Sequence, residues 1–112
     1  MIEDRWRTVL VVDNDAAIGR SIAATLAEVG YDVVPGEANS AVQLARILRP
    51  SAIVMSIDPA IASSLGAEIR ALDGLHDVFI VAMCSGLPPA SIDECVELAT
   101  VAAVISTFDR RS

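Results

Sequence analysis

Short runs of apolar, mostly β-branched residues alternate along this chain with stretches whose apolar residues recur every three or four positions. The clearest runs are Val9-Leu10-Val11-Val12, Ala52-Ile53-Val54-Met55, residues 78–83 and residues 101–105. Such a run, with no polar side chain at every second place, reads as a strand covered on both faces, as in a parallel sheet. A fifth run, 31–34, contains Asp32 and reads as an edge strand. The intervening stretches carry helical spacing: Ile18, Ile22, Leu26 and Val29, then Ala41, Leu44, Ala45 and Leu48 before Pro50, then Leu65, Ile69 and Leu72. Ser91-Ile92-Asp93-Glu94 has the form of a capping box and predicts a fourth helix with Val96 inward. Strand and helix therefore alternate throughout, and right-handed crossovers between parallel strands put helices on both faces of one sheet. A length of 112 residues suits one domain over residues 1–112, and 54% hydrophobic content fills its core.

The charge balance narrows the partners. The formal net charge is −7, and all eight cations are arginines, because the chain contains no lysine. An acidic domain repels phosphate backbones and anionic lipid, so neither nucleic acid nor a membrane surface is an expected partner. The longest uncharged stretch, 78–92, is 15 residues long and holds Pro88 and Pro89, too short and too broken to span a bilayer. Residues 1–7 are charged and the apolar run after them stops at Asp13, which does not resemble a secretory leader. Cys84, Cys95 and the single histidine, His76, have no zinc or redox spacing. A soluble, cytoplasmic protein without a resident metal is the expectation.

In open α/β sheets the functional groups gather at the carboxyl ends of the strands. Those positions hold Asp13-Asn14-Asp15, Ser56, Cys84 with Ser85, and Ser106. Asp15 also reads as a helix cap, and Asn39-Ser40 as another. Cys84 and Cys95 read as small apolar residues with no adjacent cation to lower a thiol pKa, and His76 as a solvated turn residue among Asp73, Gly74 and Asp77. The glycines are scattered and form no phosphate-binding loop.

On these residues the chain resembles the receiver domains of two-component response regulators. Val9-Leu10-Val11-Val12-Asp13-Asn14-Asp15 looks like the family's first strand and acidic cluster, and Val29-Gly30-Tyr31-Asp32-Val33-Val34 like its helix-to-strand turn. Arg49-Pro50-Ser51-Ala52-Ile53-Val54-Met55 resembles the approach to the phosphoacceptor, and Thr107-Phe108 lies where a proline and an aromatic residue follow the family's lysine. The resemblance implies a flavodoxin-like, CheY-like fold: a five-stranded parallel sheet in the order 2-1-3-4-5 with helices on both faces. It also implies a carboxylate that attacks phosphohistidine, acidic side chains that hold Mg²⁺, and a hydroxyl and a lysine that meet the phosphoryl oxygens.

This sequence departs from that set. Counting from Pro50, the acceptor position falls on Ser56, a neutral hydroxyl with no nearby general base. The hydroxyl position falls on Cys84, with Ser85 beside it, and the lysine position on Ser106. Asn14 stands in the second acidic place. Asp58, two residues past Ser56, stays open as an alternative acceptor if the third strand runs longer, with Asp13, Asp15 and Asp58 then the candidate Mg²⁺ ligands.

Only Asp109-Arg110-Arg111-Ser112 follows Phe108, so the helix that receiver domains place after the fifth strand is expected to be missing. An uncovered flank beside Ile22 and Leu26 would then expose an apolar patch, and the expected occupant is a second copy of the chain or another protein. Three functions follow in order: a pseudo-receiver that does not accept phosphate and binds a protein partner, not an enzyme and without cofactor; a phosphorylatable receiver using Asp58 and Mg²⁺; and a small flavodoxin-like enzyme using Ser56 or Cys84, which lacks a histidine or lysine base.

Overall fold

The computed structural model describes residues 8–13, 16–28, 30–76, 78–83 and 91–96. Five parallel strands stand side by side in the order β2-β1-β3-β4-β5. They are β1 (Thr8–Asp13), β2 (Asp32–Gly36), β3 (Ala52–Ser56), β4 (Phe79–Met83) and β5 (Glu94–Val96). The helices are α1 (Ala16–Glu28), α2 (Ala41–Leu48) and α3 (Pro59–Arg70). This is the flavodoxin-like α/β architecture that the alternating apolar runs imply.

Successive residues of a strand face opposite sides of the sheet, so each continuous apolar run feeds two cores at once. On one side Val9, Val11, Val54, Phe79 and Val81 pack with Ile22 and Leu26 of α1. On the other, Leu10, Val12, Ile53, Met55, Ile80 and Ala82 pack with Ala41 and Ala45 of α2 and Ala62 and Ile69 of α3. The central strands therefore have no solvent face, and β3 is buried along its whole length. β2 is exposed at Asp32 and Pro35, as an edge strand should be; proline, with no N–H to give, is tolerated there and not inside a sheet.

Chain reversals follow from local chemistry. Arg49 ends α2 in the left-handed conformation (φ 50°), ahead of Pro50, which cannot continue a helix. Its guanidinium donates to the carbonyl of Asp73 across 3.1 Å. Next to Asp73, Gly74 has φ +82°, and a Cβ there would collide with that guanidinium. A shallow cleft of about 360 Å³ opens at this end of the molecule, lined by Arg46, Arg49, Ala71, Leu72, Asp73 and Leu75.

Two expectations need correction. The capping box at Ser91–Glu94 does not start a helix: Glu94–Val96 is the fifth strand of the described sheet, and the run 101–105, expected to form a strand, lies outside the described residues. The physical reason is that Ser91 and Asp93 are engaged elsewhere. The Ser91 hydroxyl donates to the carbonyl of Ser63 on α3 (2.8 Å), and Asp93 exchanges hydrogen bonds with Ile80 of β4. Second, Ser40 precedes α2 but makes no side-chain cap; its hydroxyl donates back to the Glu37 carbonyl at 3.3 Å, within a short 3-10 turn, Ala38–Ser40. The flank expected to lie open beside α1 turns on the residues after Val96, which lie outside the described residues. The reading of a missing last helix, and of Asp15 as a cap, falls outside the described residues.

Candidate functional site at the carboxyl ends of the strands

The two central strands end together. β1 and β3 are in register from Val9 opposite Ala52 to Asp13 opposite Ser56, so the last residue of each strand stands beside the last residue of the other. One is a carboxylate and the other a hydroxyl. Parallel strands deliver both to the same rim of the sheet, where the chain leaves for α1 and α3. Asp13 is partly buried, with one carboxylate oxygen out of contact with solvent. Ser56 is 7% exposed and is the one buried polar residue among those described.

Asp58 occupies a different place. β3 stops at Ser56, and two residues later the chain turns into α3 with Pro59 as the first helical residue. The Asp58 carboxylate accepts the Ala60 N–H at 2.8 Å, and its carbonyl accepts the first helical bond from Ala62 at 2.9 Å. These are the hydrogen bonds of a helix N-cap, with proline in the position that needs no donor. Asp58 is exposed, whereas Ser56 is enclosed. Spacing alone left these two residues open as alternatives; strand length and capping give each its own position.

Mg²⁺ in the receiver family needs several oxygen ligands with negative charge among them. Among the described residues Asp13 is the carboxylate at the strand ends, Ser56 beside it is neutral, and Asp58 faces its own helix. No group of three or more His, Cys, Asp or Glu side chains among the described residues is arranged to hold a metal ion. Asn14, Asp15, Cys84, Ser85 and Ser106 lie outside the described residues.

The residues that the sequence did not single out are Arg70 and Asp93. Arg70, at the last turn of α3, donates from Nε to the Ser91 carbonyl (3.0 Å), from Nη1 to the carbonyls of His76 (2.8 Å) and Val78 (3.0 Å), and from Nη2 to Asp93 Oδ2 (2.6 Å). His76 is exposed in its turn, as expected, with Nδ1 against the Arg70 carbonyl at 3.0 Å. The only sequence signal was a cation at a helix C-terminus, where the helix dipole favours one.

No protein-family model matches the sequence, and no curated protein sequence matches it. Solved structures do match. The chemotaxis response regulator CheY4 of Vibrio cholerae superposes with a TM-score of 0.76 at 18% sequence identity, over 93% of this chain and 97% of that one. A CheY-like response regulator receiver domain from Methylobacillus flagellatus gives 0.73 at 14% identity, over 95% and 98%. A cobalamin-binding protein from Desulfitobacterium hafniense also gives 0.73, at 10% identity over 96% of this chain and 59% of that one. The fold is thus that of CheY-like receiver domains. Among the described residues no helix is long and apolar enough to cross a membrane.

Proposed function

We propose that this chain is a pseudo-receiver: a receiver-fold module of two-component-type signalling that works by binding another protein and does not accept a phosphoryl group. One observation carries this reading. The residue that ends β3, enclosed and in register with Asp13, is Ser56, a neutral hydroxyl where the receiver resemblance calls for a carboxylate nucleophile. A serine hydroxyl is a weaker nucleophile near neutral pH than the carboxylate that the receiver resemblance calls for. The chain also has no lysine to meet the phosphoryl oxygens, and no group of three or more His, Cys, Asp or Glu side chains among the described residues is arranged to hold a cation. Fold likeness alone would not decide the matter, because the same architecture occurs in a cobalamin-binding protein.

The test is incubation with a small phosphodonor and Mg²⁺, followed by intact-mass measurement. The expected outcome is no mass gain. A gain of one phosphoryl group that disappears in Asp58→Asn would establish the phosphorylatable reading instead, with Asp58 leaving its capping role. Turnover of a small molecule that is abolished by Ser56→Ala would establish an enzyme. Protein partners, including a second copy of the chain, are sought by pull-down and light scattering of the full chain.

A further inference from the structure

At the amino ends of the strands, opposite the Asp13–Ser56 rim, the end of α2 and the turn after α3 enclose the cleft of about 360 Å³. Arg46, in the last turn of α2, and Arg49, just after it, line the cleft together with Leu72 and Leu75. Asp73 also lines it, and what it gives Arg49 is its backbone carbonyl. That bond occupies one of the guanidinium N–H donors and leaves the others available. Among the described residues the ion pair is that of Arg70 with Asp93, and neither Arg46 nor Arg49 has one. The Arg49 guanidinium is held in place by the left-handed backbone at its own position, by the Asp73 carbonyl and by the space that Gly74 leaves for it. A cation fixed before binding loses little freedom when it binds. Ile47, next to Arg46 in the chain, is 75% exposed, the most open of the large hydrophobic side chains described. The core does not use it, since α2 packs inward through Ala41, Leu44, Ala45 and Leu48.

The dipole of α2 favours a cation in its last turn. It does not call for a second guanidinium pinned against the following turn, nor for an isoleucine on the outer face of the helix. We propose that the cleft and Ile47 form a docking surface for a short segment of a partner protein in which carboxylates flank an apolar side chain. The carboxylates meet Arg46 and Arg49, and the apolar side chain lies against Leu72. The inference rests on the reading of the chain as a protein-binding module and says where the partner is held. A short acidic segment is the fitting occupant because the complementarity is local. The chain carries a net charge of −7, so a long polyanion such as nucleic acid meets repulsion along its length. A segment with two or so carboxylates meets the two guanidiniums, and acids farther than about 8 Å away are screened at physiological salt. The volume lies near the lower end of the range of about 300–1,000 Å³ that ligand pockets span, which suits one or two side chains. Because the strands run from this end to the opposite rim, docking here leaves Asp13 and Ser56 clear.

The probe is a short fluorescent synthetic peptide with glutamates on both sides of a leucine, and its control carries glutamine in place of each glutamate. Fluorescence anisotropy measures affinity for the full chain and its variants, and backbone amide shifts locate the peptide. The expected result is binding that weakens as salt rises, with shifts at Arg46, Ile47 and Leu72 and none at Asp13 or Ser56. Arg46→Glu should bind about tenfold more weakly, the effect of losing one charge-assisted hydrogen bond. Ile47→Ser should bind about threefold more weakly, since less apolar area is covered. A peptide that fails to bind the full chain at millimolar concentration overturns the proposal, as does a glutamine control that binds equally well or an Arg46→Glu variant that binds like the parent. Arg46 makes no hydrogen bond among the described residues, so its replacement should leave the fold intact. If circular dichroism shows Arg46→Glu unfolded, Arg46→Gln decides by the same readings. The two readings fail separately. A phosphoryl gain in the mass measurement overturns the pseudo-receiver and not this surface, whereas a pulled-down partner that binds Arg46→Glu as tightly as the parent overturns this surface and leaves the protein-binding module standing.

Discussion

The centre of the sheet and its β4–β5 margin are held by different physics. β1 and β3 are fixed by their own side chains: every residue from Val9 to Val12 and from Ala52 to Met55 is buried against one helical layer or the other. The margin is fixed by polar groups reaching across from elsewhere, with Arg70 of α3 and Asp93 doing for Ile80 what a neighbouring strand does for the centre. Burial makes the centre insensitive to which loop follows it. The margin depends on directional contacts to groups distant in sequence, so it is the part of the fold that a single substitution can redirect.

The contrast should be visible in stability. Ile53→Ala, at a fully buried site in the centre, should cost about 2–5 kcal/mol through lost transfer energy and the cavity left behind; a loss under about 1 kcal/mol in denaturant unfolding would mean that the centre repacks freely. Ser56→Asp sets a second carboxylate beside Asp13 in an enclosed place and should destabilise by about 3 kcal/mol in metal-free buffer, from desolvation and like-charge repulsion. Added Mg²⁺ should recover part of that loss in the variant while leaving the parent unchanged. Arg70→Met keeps much of the aliphatic stem and removes the donors at the margin. Allowing for its partial exposure, about 2 kcal/mol is expected, with exchange at Ile80 rising before exchange in β1. Asp58→Ala removes one cap bond and should lower stability by about 1 kcal/mol, with Asp58→Asn close to the parent. A much larger loss at Asp58, or loss of a phosphorylation signal, would show that it does more than cap α3.

The same division explains what could be read from the sequence. β1, β3 and β4 announce themselves because burial on both faces demands unbroken apolar runs, and α2 ends at Leu48 because Pro50 lies ahead. The pairing of Asp13 with Ser56 was accessible in outline, since both end their runs; that they stand at the same level is a matter of strand register, which spacing within one strand does not carry. Residues 91–96 misled because a capping box is a local pattern. Ser91 and Glu94 satisfy it in one dimension, yet Ser63, Arg70 and Ile80 engage Ser91 and the neighbouring Asp93 in three.

Arg49 and Gly74 carry a consequence for how this chain can vary. The guanidinium of Arg49 lies where a side chain at position 74 would begin, and Gly74 holds a positive φ that other residues adopt only at a cost. The two positions therefore behave as a single unit of inheritance. A change at position 74 displaces Arg49 from the Asp73 carbonyl as well as straining the turn, whereas the same change made after Arg49 has been shortened meets only the strain. Drift at this end of the molecule is thereby ordered in time, with position 49 free to move first and position 74 able to follow.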